Sequence, residues 1–358
     1  MRKINILTDG FTTSNGSAFL FPLLVHKRSL ENSNLDVNLV NLKSENITSC
    51  DVLCIDSKTF NSQWQTEPNY VIEKLNQLQD SGIRILYFDT TDSSGTIQSA
   101  VLPYVDKYLK NQLLIEKHKY SKPIYGGRIW SEYYRETAGI LDRNDSHRDT
   151  AISENYIPKL GVSWNSGLSD YSTLGPWKIS LYRQFPFRYF LKYPQSSAAP
   201  SSKRPKDITA RFGTTYGRAT VRYQREQIRK KLNNRLDTNK LGRYAYMKEL
   251  RQSKIVVSPF GWGEITLKDF EVFLTGGMLL KPCMNHIITW PNFFQEATTY
   301  LSHDWNLNDL EERIDWAIEN STTRADIAAN GQNLYVQHTS GPKAGELFAN
   351  HFSNVIAT

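Results

Sequence analysis

The sequence is poor in cysteine and has no long apolar segment. Its 358 residues include only Cys50, Cys54 and Cys283, too few for a disulfide framework and wrongly spaced for a metal site. No stretch approaches the roughly 18 consecutive apolar residues that a membrane-spanning helix needs. The apolar run after Met1 turns polar at Thr8, which is too early for a signal peptide. We therefore predict a cytoplasmic protein with three free thiols.

Three motifs of common enzymes are also missing. The first predicted strand, residues 3–7, leads into residues 9–16 without the Gly-x-Gly-x-x-Gly that lets a pyrophosphate approach a dinucleotide-binding fold. The chain has no phosphate-binding loop ending in Gly-Lys-Ser/Thr and no Gly-x-Ser-x-Gly turn of the serine hydrolases. The sequence therefore predicts neither a dehydrogenase, nor a P-loop nucleotidase, nor a serine hydrolase.

What the sequence does contain is an excess of basic residues. The formal net charge is +7, and lysines and arginines are concentrated between residues 211 and 251. Such a block suits nucleic acid, an anionic membrane face or a diphosphate ligand, and a solvated helix face is the plain alternative. No recognition helix, zinc finger or single-strand stacking pattern accompanies it. We therefore predict no nucleic-acid partner, and peripheral contact with the anionic inner face of a membrane stays open.

The spacing of apolar residues predicts an α/β protein. The predicted strands of the first half cover residues 3–7, 37–40, 51–55 and 83–88, and its helices cover residues 19–29, 70–80 and 105–119. Strands that alternate with helices imply crossover connections and a parallel sheet. The length suits two domains, and the polar, proline-containing run 195–202 is the best linker between them. A second α/β unit follows it, beginning with a strand at 207–212.

One segment of the second unit carries the most information about function. A predicted strand at 254–257 runs into a turn with Gly261 and Gly263, then a helix from about Thr266 to Thr275, then a strand at 278–280. The backbone amides of such a turn and the N-terminus of the helix converge on an anion. Glutamates at 264 and 271 can accept hydrogen bonds from sugar hydroxyls. This combination indicates a nucleotide-sugar site.

The same segment resembles the donor-binding motif of glycosyltransferases with the two-domain GT-B fold. Glu271 aligns with the second glutamate of that motif, whereas Gly263 stands where the first is usual and Glu264 follows one residue later. The resemblance implies two Rossmann-like domains whose parallel sheets face each other across a cleft. The predicted domains are residues 1–195 on the acceptor side, residues 196–340 on the donor side, and a terminal helix within 341–358 that crosses back to the first domain.

The resemblance also implies an activity. The protein would transfer a sugar from a nucleotide-sugar donor to a hydroxyl of a glycan or a lipid-linked acceptor, as in surface polysaccharide synthesis. The nucleoside-diphosphate sugar would be a co-substrate, with no other cofactor and no metal. Asp89-Thr-Thr-Asp92 is one residue too long for the Asp-x-Asp metal motif of other glycosyltransferases. Retention or inversion of configuration stays open. The alternative is a catalytically inactive GT-B-like protein that binds a glycan or a nucleotide, which the offset of Glu264 favours.

The candidate site residues follow from these two arguments. Donor-binding candidates are Arg211, Arg218, Phe260, Gly261, Trp262, Gly263, Glu264, Ile265, Thr266 and Glu271. Amides near Gly263 would hold the diphosphate, Glu271 would contact the ribose, and arginine would offset the charge of the leaving group. Catalytic candidates are Asp9, Asp92 and Glu264, the two aspartates serving as the base if the reaction inverts. Structural alternatives stay open, among them helix capping by Thr266 and turn formation by the aspartates.

Overall fold

The computed structural model describes residues 1–142 and 151–357. Its strands are β1 (Arg2–Leu7), β2 (Leu35–Val40), β3 (Val52–Asp56), β4 (Arg84–Asp89), β5 (Lys107–Lys110), β6 (Gln112–Leu114), β7 (Leu160–Val162), β8 (Lys206–Thr209), β9 (Ser253–Val257), β10 (Met278–Pro282), β11 (Ile287–Thr289) and β12 (Leu301–His303). Its α-helices are α1 (Ser14–Val25), α2 (Lys27–Asn32), α3 (Gln63–Thr66), α4 (Pro68–Asp80), α5 (Ile129–Ala138), α6 (Gly175–Gln184), α7 (Ala219–Leu232), α8 (Arg243–Gln252), α9 (Leu267–Thr275), α10 (Leu310–Glu319), α11 (Ser321–His338) and α12 (Ala344–Ala357).

Two parallel sheets organise these elements. The first has six strands in the order β2-β1-β3-β4-β5-β7, and the second has four in the order β12-β10-β9-β8. Every neighbouring pair in both sheets is parallel. The strand order of the first sheet reverses at β1, the kind of switch point beside which open α/β sheets bind ligands. The predicted fold class, an α/β chain with two parallel sheets, is confirmed.

The apolar periodicity of the sequence explains most of the elements. Strand β3 is buried at every position, as expected for a central strand covered on both faces. Helix α4 buries Val71, Leu75 and Leu78, which recur at the three- and four-residue spacing of one helix face. After this helix Gly82 adopts a positive φ of 73°, a conformation that glycine reaches without strain. The sequence pattern and the fold therefore agree here.

The helix predicted over residues 105–119 is wrong. The structure has β5 and β6 there, followed by a short 3₁₀ turn over Lys117–Ser121. Tyr108 and Leu109 are buried, and Lys110 is buried as well because its ammonium pairs with Asp89 at the end of neighbouring β4. In the sequence Lys110 is counted as an exposed polar position, and with it the spacing of the apolar residues fits a helix. Because Lys110 is in fact buried, that spacing predicts the wrong element.

Contacts between distant parts of the chain tie the two halves together. Strand β11 pairs antiparallel with β6, and the C-terminal helix α12 contacts the first half. The ring of Phe348 in α12 lies 5.2 Å from that of Trp164, and His351 Nε2 donates to the Ser163 carbonyl at 2.7 Å. The predicted domain limits stay predictions. Among the residues of the two described ranges, no helix is long and apolar enough to cross a membrane.

Candidate functional site

The glycine turn between β9 and α9 lies against a loop of the first half. A Cβ atom on Gly263 would come 1.7 Å from the carbonyl oxygen of Asp92, so only glycine fits there. The Gly261 amide donates to the Gly263 carbonyl at 2.9 Å, which closes the turn. Phe260 is fully buried and packs on Trp130 with ring centroids 5.1 Å apart. The turn is therefore fixed in shape by contact across the two halves.

The start of α9 is held by a capping network. Asp269 accepts from the Thr266 amide at 2.9 Å and from its hydroxyl at 3.0 Å. The Ser258 hydroxyl donates to the same carboxylate at 2.6 Å, and Lys281 Nζ lies 3.1 Å from it. Thr266 thus takes part in a capping arrangement with an acid three residues on, a spacing that marks a helix start in sequence. Ile265 beside it is half-buried.

Glu264 is a fully buried contact between the two halves. It accepts from the Ser94 hydroxyl at 2.6 Å, from the Ser94 amide at 3.2 Å and from Gln112 Nε2 at 3.1 Å. His286 Nε2 lies 3.8 Å from Oε1, an ion-pair distance rather than a hydrogen bond. Burial raises the pKa of Glu264, but His286 and the Ser94 donors outweigh it, so the pKa is lowered. Protein groups thus donate three hydrogen bonds to this buried carboxylate.

Glu271 lines a cleft between the two halves. Its side chain pairs with Arg243 of α8, which also donates to the carbonyls of Tyr171 and Ser172 at 2.8 and 2.9 Å. The cleft has a volume of about 250 Å³. One wall is the loop from β1 into α1, and the others come from the segment around α6 and from α8 and α9. Its lining residues include Phe11, Thr12, Thr13, Ser14, Ser17, Asp170, Arg183, Arg243, Leu267 and Glu271.

A larger cleft lies at the carboxyl edge of β1, β2 and β3. It has a volume of about 790 Å³ and is lined mostly by polar residues, among them Asp9, Lys43 and Lys58. Thr12 and Thr13 line both clefts. The larger one lies beside the switch point of the sheet, where α/β folds tend to bind ligands. Exposed Asp9 therefore faces a cleft that adjoins the one lined by Glu271.

The remaining predicted residues lie in other surroundings. Arg211 donates to Glu249 at 2.8 and 3.0 Å and to Asp237 at 2.8 Å, and its hydrogen bond with Glu249 raises its pKa. Arg218 precedes α7 and donates to the Gly126 carbonyl at 3.3 Å. The structure thus holds Arg211 in an ion-pair network and brings Arg218 to the first half, and it shows neither in the walls of the two clefts.

Asp92 and Trp262 complete the set. Asp92 Oδ1 accepts from Asn15 Nδ2 at 3.0 Å, so this aspartate is joined to the start of α1. Trp262 is 46% exposed and packs edge-on against Tyr216. Within residues 1–142 and 151–357 no cluster of three histidine, cysteine or acidic side chains could hold a metal ion. Metal independence itself stays a prediction.

Sequence reasoning missed several residues that the structure brings together. Arg243 stood out only as one member of a basic block, and Ser94 and Gln112 carried no signal, because each lies more than 150 residues from Glu264 along the chain. Asp170 was also missed. It is 1% exposed and lines the smaller cleft, with Lys178 Nζ at 3.6 Å.

No model of a known protein family matches the chain, and no curated protein does. Among solved structures, T4 phage β-glucosyltransferase is similar at 13% identity with a TM-score of 0.48, over 99% of this chain and 100% of that one. A glycosyltransferase from Rickettsia africae follows at 9% identity and 0.47, over 99% and 97%. Anabaena HepE in complex with UDP-glucose gives 9% and 0.44, over 99% and 100%. Identities and scores this low carry no conclusion about the activity of this chain.

Proposed function

We propose that the protein is a glycosyltransferase that moves a sugar from a nucleotide-sugar donor to a hydroxyl of a glycan or lipid-linked acceptor in surface polysaccharide synthesis. One observation carries the proposal: Glu271, in helix α9 after the glycine turn, lines a cleft whose opposite wall is the β1–α1 loop of the first half. A cytoplasmic location, peripheral contact at the inner membrane face and independence from metal ions belong to the same proposal.

The smaller cleft holds two basic side chains that could contact a diphosphate, in a lining that also contains Asp170 and Glu271. Arg183 and Arg243 both line it, and the first residue of α1, Ser14, lies in its wall with the partial positive charge of a helix N-terminus. Such groups stabilise the negative charge that develops on a leaving nucleoside diphosphate. The cleft, at about 250 Å³, is smaller than the roughly 300–1,000 Å³ of sites that enclose a whole ligand. It would therefore enclose only a part of the donor.

The larger cleft suits an acceptor. Its lining of threonine, asparagine, serine and lysine side chains matches a ligand rich in hydroxyl groups. Because the two clefts share Thr12 and Thr13, a donor in one and an acceptor in the other would meet at the β1–α1 loop. Asp9 in this loop is then the candidate to take the proton of the acceptor hydroxyl if the reaction inverts.

A protein that binds nucleotide sugars without turnover is the second candidate. The observation that favours it is the burial of Glu264, whose carboxylate accepts hydrogen bonds from Ser94 and Gln112. Glu264 lines neither of the two clefts, so its carboxylate does not face a substrate there. The two candidates share the donor site and differ in whether product forms.

The experiment is a thermal-shift panel of nucleotide sugars and free nucleotides, with and without magnesium. A ligand that binds only the folded state stabilises it, by about 2.7 kcal/mol at a hundred times Kd. We expect one nucleoside diphosphate and its sugar to raise Tm equally with and without magnesium. Glu271→Gln should weaken that binding roughly 10- to 100-fold, since a hydrogen bond to a charged group contributes about 1.5–3 kcal/mol.

The matched control is Glu311→Gln, which changes an exposed glutamate at the start of α10, far from the glycine turn in sequence. It should leave the ligand-induced shift as in the unchanged protein. Normal binding by the Glu271→Gln variant would contradict the donor-site assignment. Release of free nucleoside diphosphate in the presence of glycan acceptors separates the transferase from the binder.

A further inference from the structure

Helix α6 and the turn after it display a cluster of exposed apolar side chains. We name residues 174–192 the aromatic–basic surface. Its exposed apolar residues are Leu174 (56% exposed), Trp177 (59%), Phe185 (53%), Phe187 (66%) and Tyr189 (75%). Single exposed apolar residues are ordinary on protein surfaces. Five of them occur within residues 174–189, and clusters of exposed apolar side chains mark interaction sites.

The charge of this surface has one sign. It contains Lys178, Arg183, Arg188 and Lys192, and no aspartate or glutamate occurs between Tyr171 and Lys206. Lys178 lies 3.6 Å from buried Asp170. The other three basic residues make no ion pair with any residue in the described ranges. The surface is therefore positively charged as well as apolar.

The segment is anchored rather than loosely attached. Leu191 and Tyr193, at its C-terminal end, are buried. On the helix, the ring of Tyr182 packs edge-on against that of Phe11 in the first half, with centroids 5.1 Å apart. Between these anchors, residues 183–189 are exposed without interruption. The fold thus presents the aromatic side chains to the outside from a fixed base.

We propose that the aromatic–basic surface docks the protein on a bilayer that contains anionic lipids. Tryptophan, tyrosine and phenylalanine favour the boundary between headgroups and acyl chains, and interleaved lysine and arginine add attraction to anionic headgroups. A second copy of the chain is a poor occupant, because two such surfaces would repel each other. Single-stranded nucleic acid would stack on the aromatic rings, but Leu174 offers no face for stacking, and the bilayer accommodates all five apolar side chains.

Docking in this way would bring the smaller cleft to the membrane. Pro176, Ile179 and Arg183 of α6 line that cleft on one side, while Trp177 and neighbouring residues form the docking surface. A bilayer-bound chain would therefore hold the cleft at the headgroup layer, where a lipid-linked acceptor presents its sugar. This last step rests on the proposed sugar transfer, and the docking gives the surface for the membrane contact proposed with it.

The test is co-sedimentation of the full chain with vesicles of phosphatidylcholine, with or without phosphatidylglycerol, in the absence of nucleotide. We expect strong binding only with phosphatidylglycerol, weakened by salt. Combined Trp177→Ser, Phe185→Ser and Phe187→Ser should lower the partition coefficient at least about tenfold, since each exposed ring removes apolar area from the bilayer. Combined Arg188→Glu and Lys192→Glu should lower it by at least about 25-fold, about fivefold for each positive charge lost, with repulsion of the new glutamates adding to this.

Two control variants test whether the surface is specific. Tyr70→Ser combined with Trp316→Ser removes exposed aromatic residues elsewhere, and Lys230→Glu combined with Lys231→Glu reverses charges in the basic block on α7. Both should bind vesicles nearly as the unchanged protein does, apart from the non-specific effect of net charge. If they lose binding as fully as the surface variants, the docking surface lies elsewhere and the proposal fails.

A separate experiment tests the competing possibility that the surface binds single-stranded nucleic acid. Fluorescent single-stranded oligonucleotides are titrated against the same proteins at physiological salt. Oligonucleotide binding that the aromatic variant abolishes, without binding to vesicles, would overturn the proposal in favour of a nucleic-acid surface. Binding to neither would also overturn it. Because the vesicle assay contains no nucleotide sugar, its failure and a flat thermal-shift panel are separate results.

Discussion

A buried lysine–aspartate pair lies near the carboxyl edge of each parallel sheet, and the two pairs are completed differently. In the first sheet Lys110 and Asp89 are register partners at the ends of β5 and β4, with Nζ 2.5 Å from Oδ2. Lys110 also donates to the Thr96 carbonyl at 2.9 Å and the Thr91 hydroxyl at 3.3 Å. Its ammonium therefore uses all three of its protons.

The pair in the second sheet is less complete. Lys281 Nζ lies 3.1 Å from Asp269 Oδ2, but it makes no hydrogen bond of good geometry with the described residues. Its other neighbour is the ring of Phe260, 5.5 Å away. Burial lowers the pKa of Lys281, although Asp269 opposes that effect. Unlike Lys110, this lysine therefore does not have three hydrogen-bond acceptors among the described residues.

The contrast indicates that the first sheet is rigid at its pair and that the second sheet is less tightly held at its own. A saturated buried pair fixes two neighbouring strands, whereas an unsaturated one costs stability that structure elsewhere must offset. Departures of this kind concentrate at functional sites. The second pair lies beside the segment that carries the sequence resemblance, which agrees with the donor site proposed there.

The largest expected effect is the loss of stability on Lys110→Met. It leaves the Asp89 carboxylate buried without its cation, which costs about 3–5 kcal/mol. The measurement is urea unfolding at neutral pH, with Lys107→Met on the same strand as control. The Lys107 ammonium donates to the Pro158 carbonyl at 3.3 Å at an exposed position and makes no ion pair with a residue of the described ranges, so that variant should unfold nearly as the unchanged protein does.

The pH dependence of the same variant sharpens this expectation. Burial raises the pKa of Asp89, but Lys110 outweighs it and the pKa is lowered. In the unchanged protein, this pair therefore contributes stability above the ordinary aspartate pKa and loses it as the pH falls through the lowered value. In Lys110→Met the carboxyl can take up a proton in acid, so the loss should shrink as the pH falls. A loss that stays constant would contradict the role of the charge.

These pairs also show how far sequence reasoning reaches. The period of the apolar residues predicted β1 to β4, α4, β9, α9 and β10 nearly to their ends. Each of these elements either packs one face on a core and exposes the other, or is buried on both faces, and both arrangements leave a regular apolar pattern in the sequence. It failed at β5, where burial of Lys110 depends on Asp89 in the neighbouring strand. The pattern of apolar residues along the sequence does not show that Asp89 of a neighbouring strand will pair with Lys110.

The residues of the candidate site also fall into two groups, those that a local sequence signal predicts and those that depend on distant partners. Gly263 and Thr266 could be found because a glycine turn and a capping spacing are local signals. The surroundings of Glu264 could not, since Ser94 and Gln112 come from the other sheet. Arg243 opposite Glu271 is the intermediate case. Its charge was visible in the basic block, but its pairing depends on the way α8 packs against α9.

The second prediction tests the less complete pair. Lys281→Met should cost only about 1–3 kcal/mol, because Asp269 keeps its donors from Ser258 and Thr266. The measurement is urea unfolding in parallel with Lys110→Met under identical conditions. A loss equal to or greater than that of Lys110→Met would break the comparison and assign the same structural role to both pairs.

The smallest expected effect concerns Lys268 in α9, next to the second pair. Burial, reinforced by the charge of Arg225, lowers the pKa of Lys268 from 10.5 to about 7, against the opposing charges of Glu271 and Asp269. Between these two values the unfolded chain binds more protons than the folded one, so this group makes stability rise with pH. The slope of the free energy of unfolding against pH that Lys268 contributes cannot exceed that of one bound proton.

The measurement compares the unchanged protein with Lys268→Met from about pH 7 to about pH 9, an interval that starts at the lowered pKa and stays below that of an ordinary lysine. The free energy of unfolding of the unchanged protein should rise relative to that of the variant over this interval. Lys248→Met, on the exposed face of α8, serves as the control and should keep the slope of the unchanged protein. Parallel curves for the unchanged protein and Lys268→Met would mean that the Lys268 ammonium reaches water in the folded state.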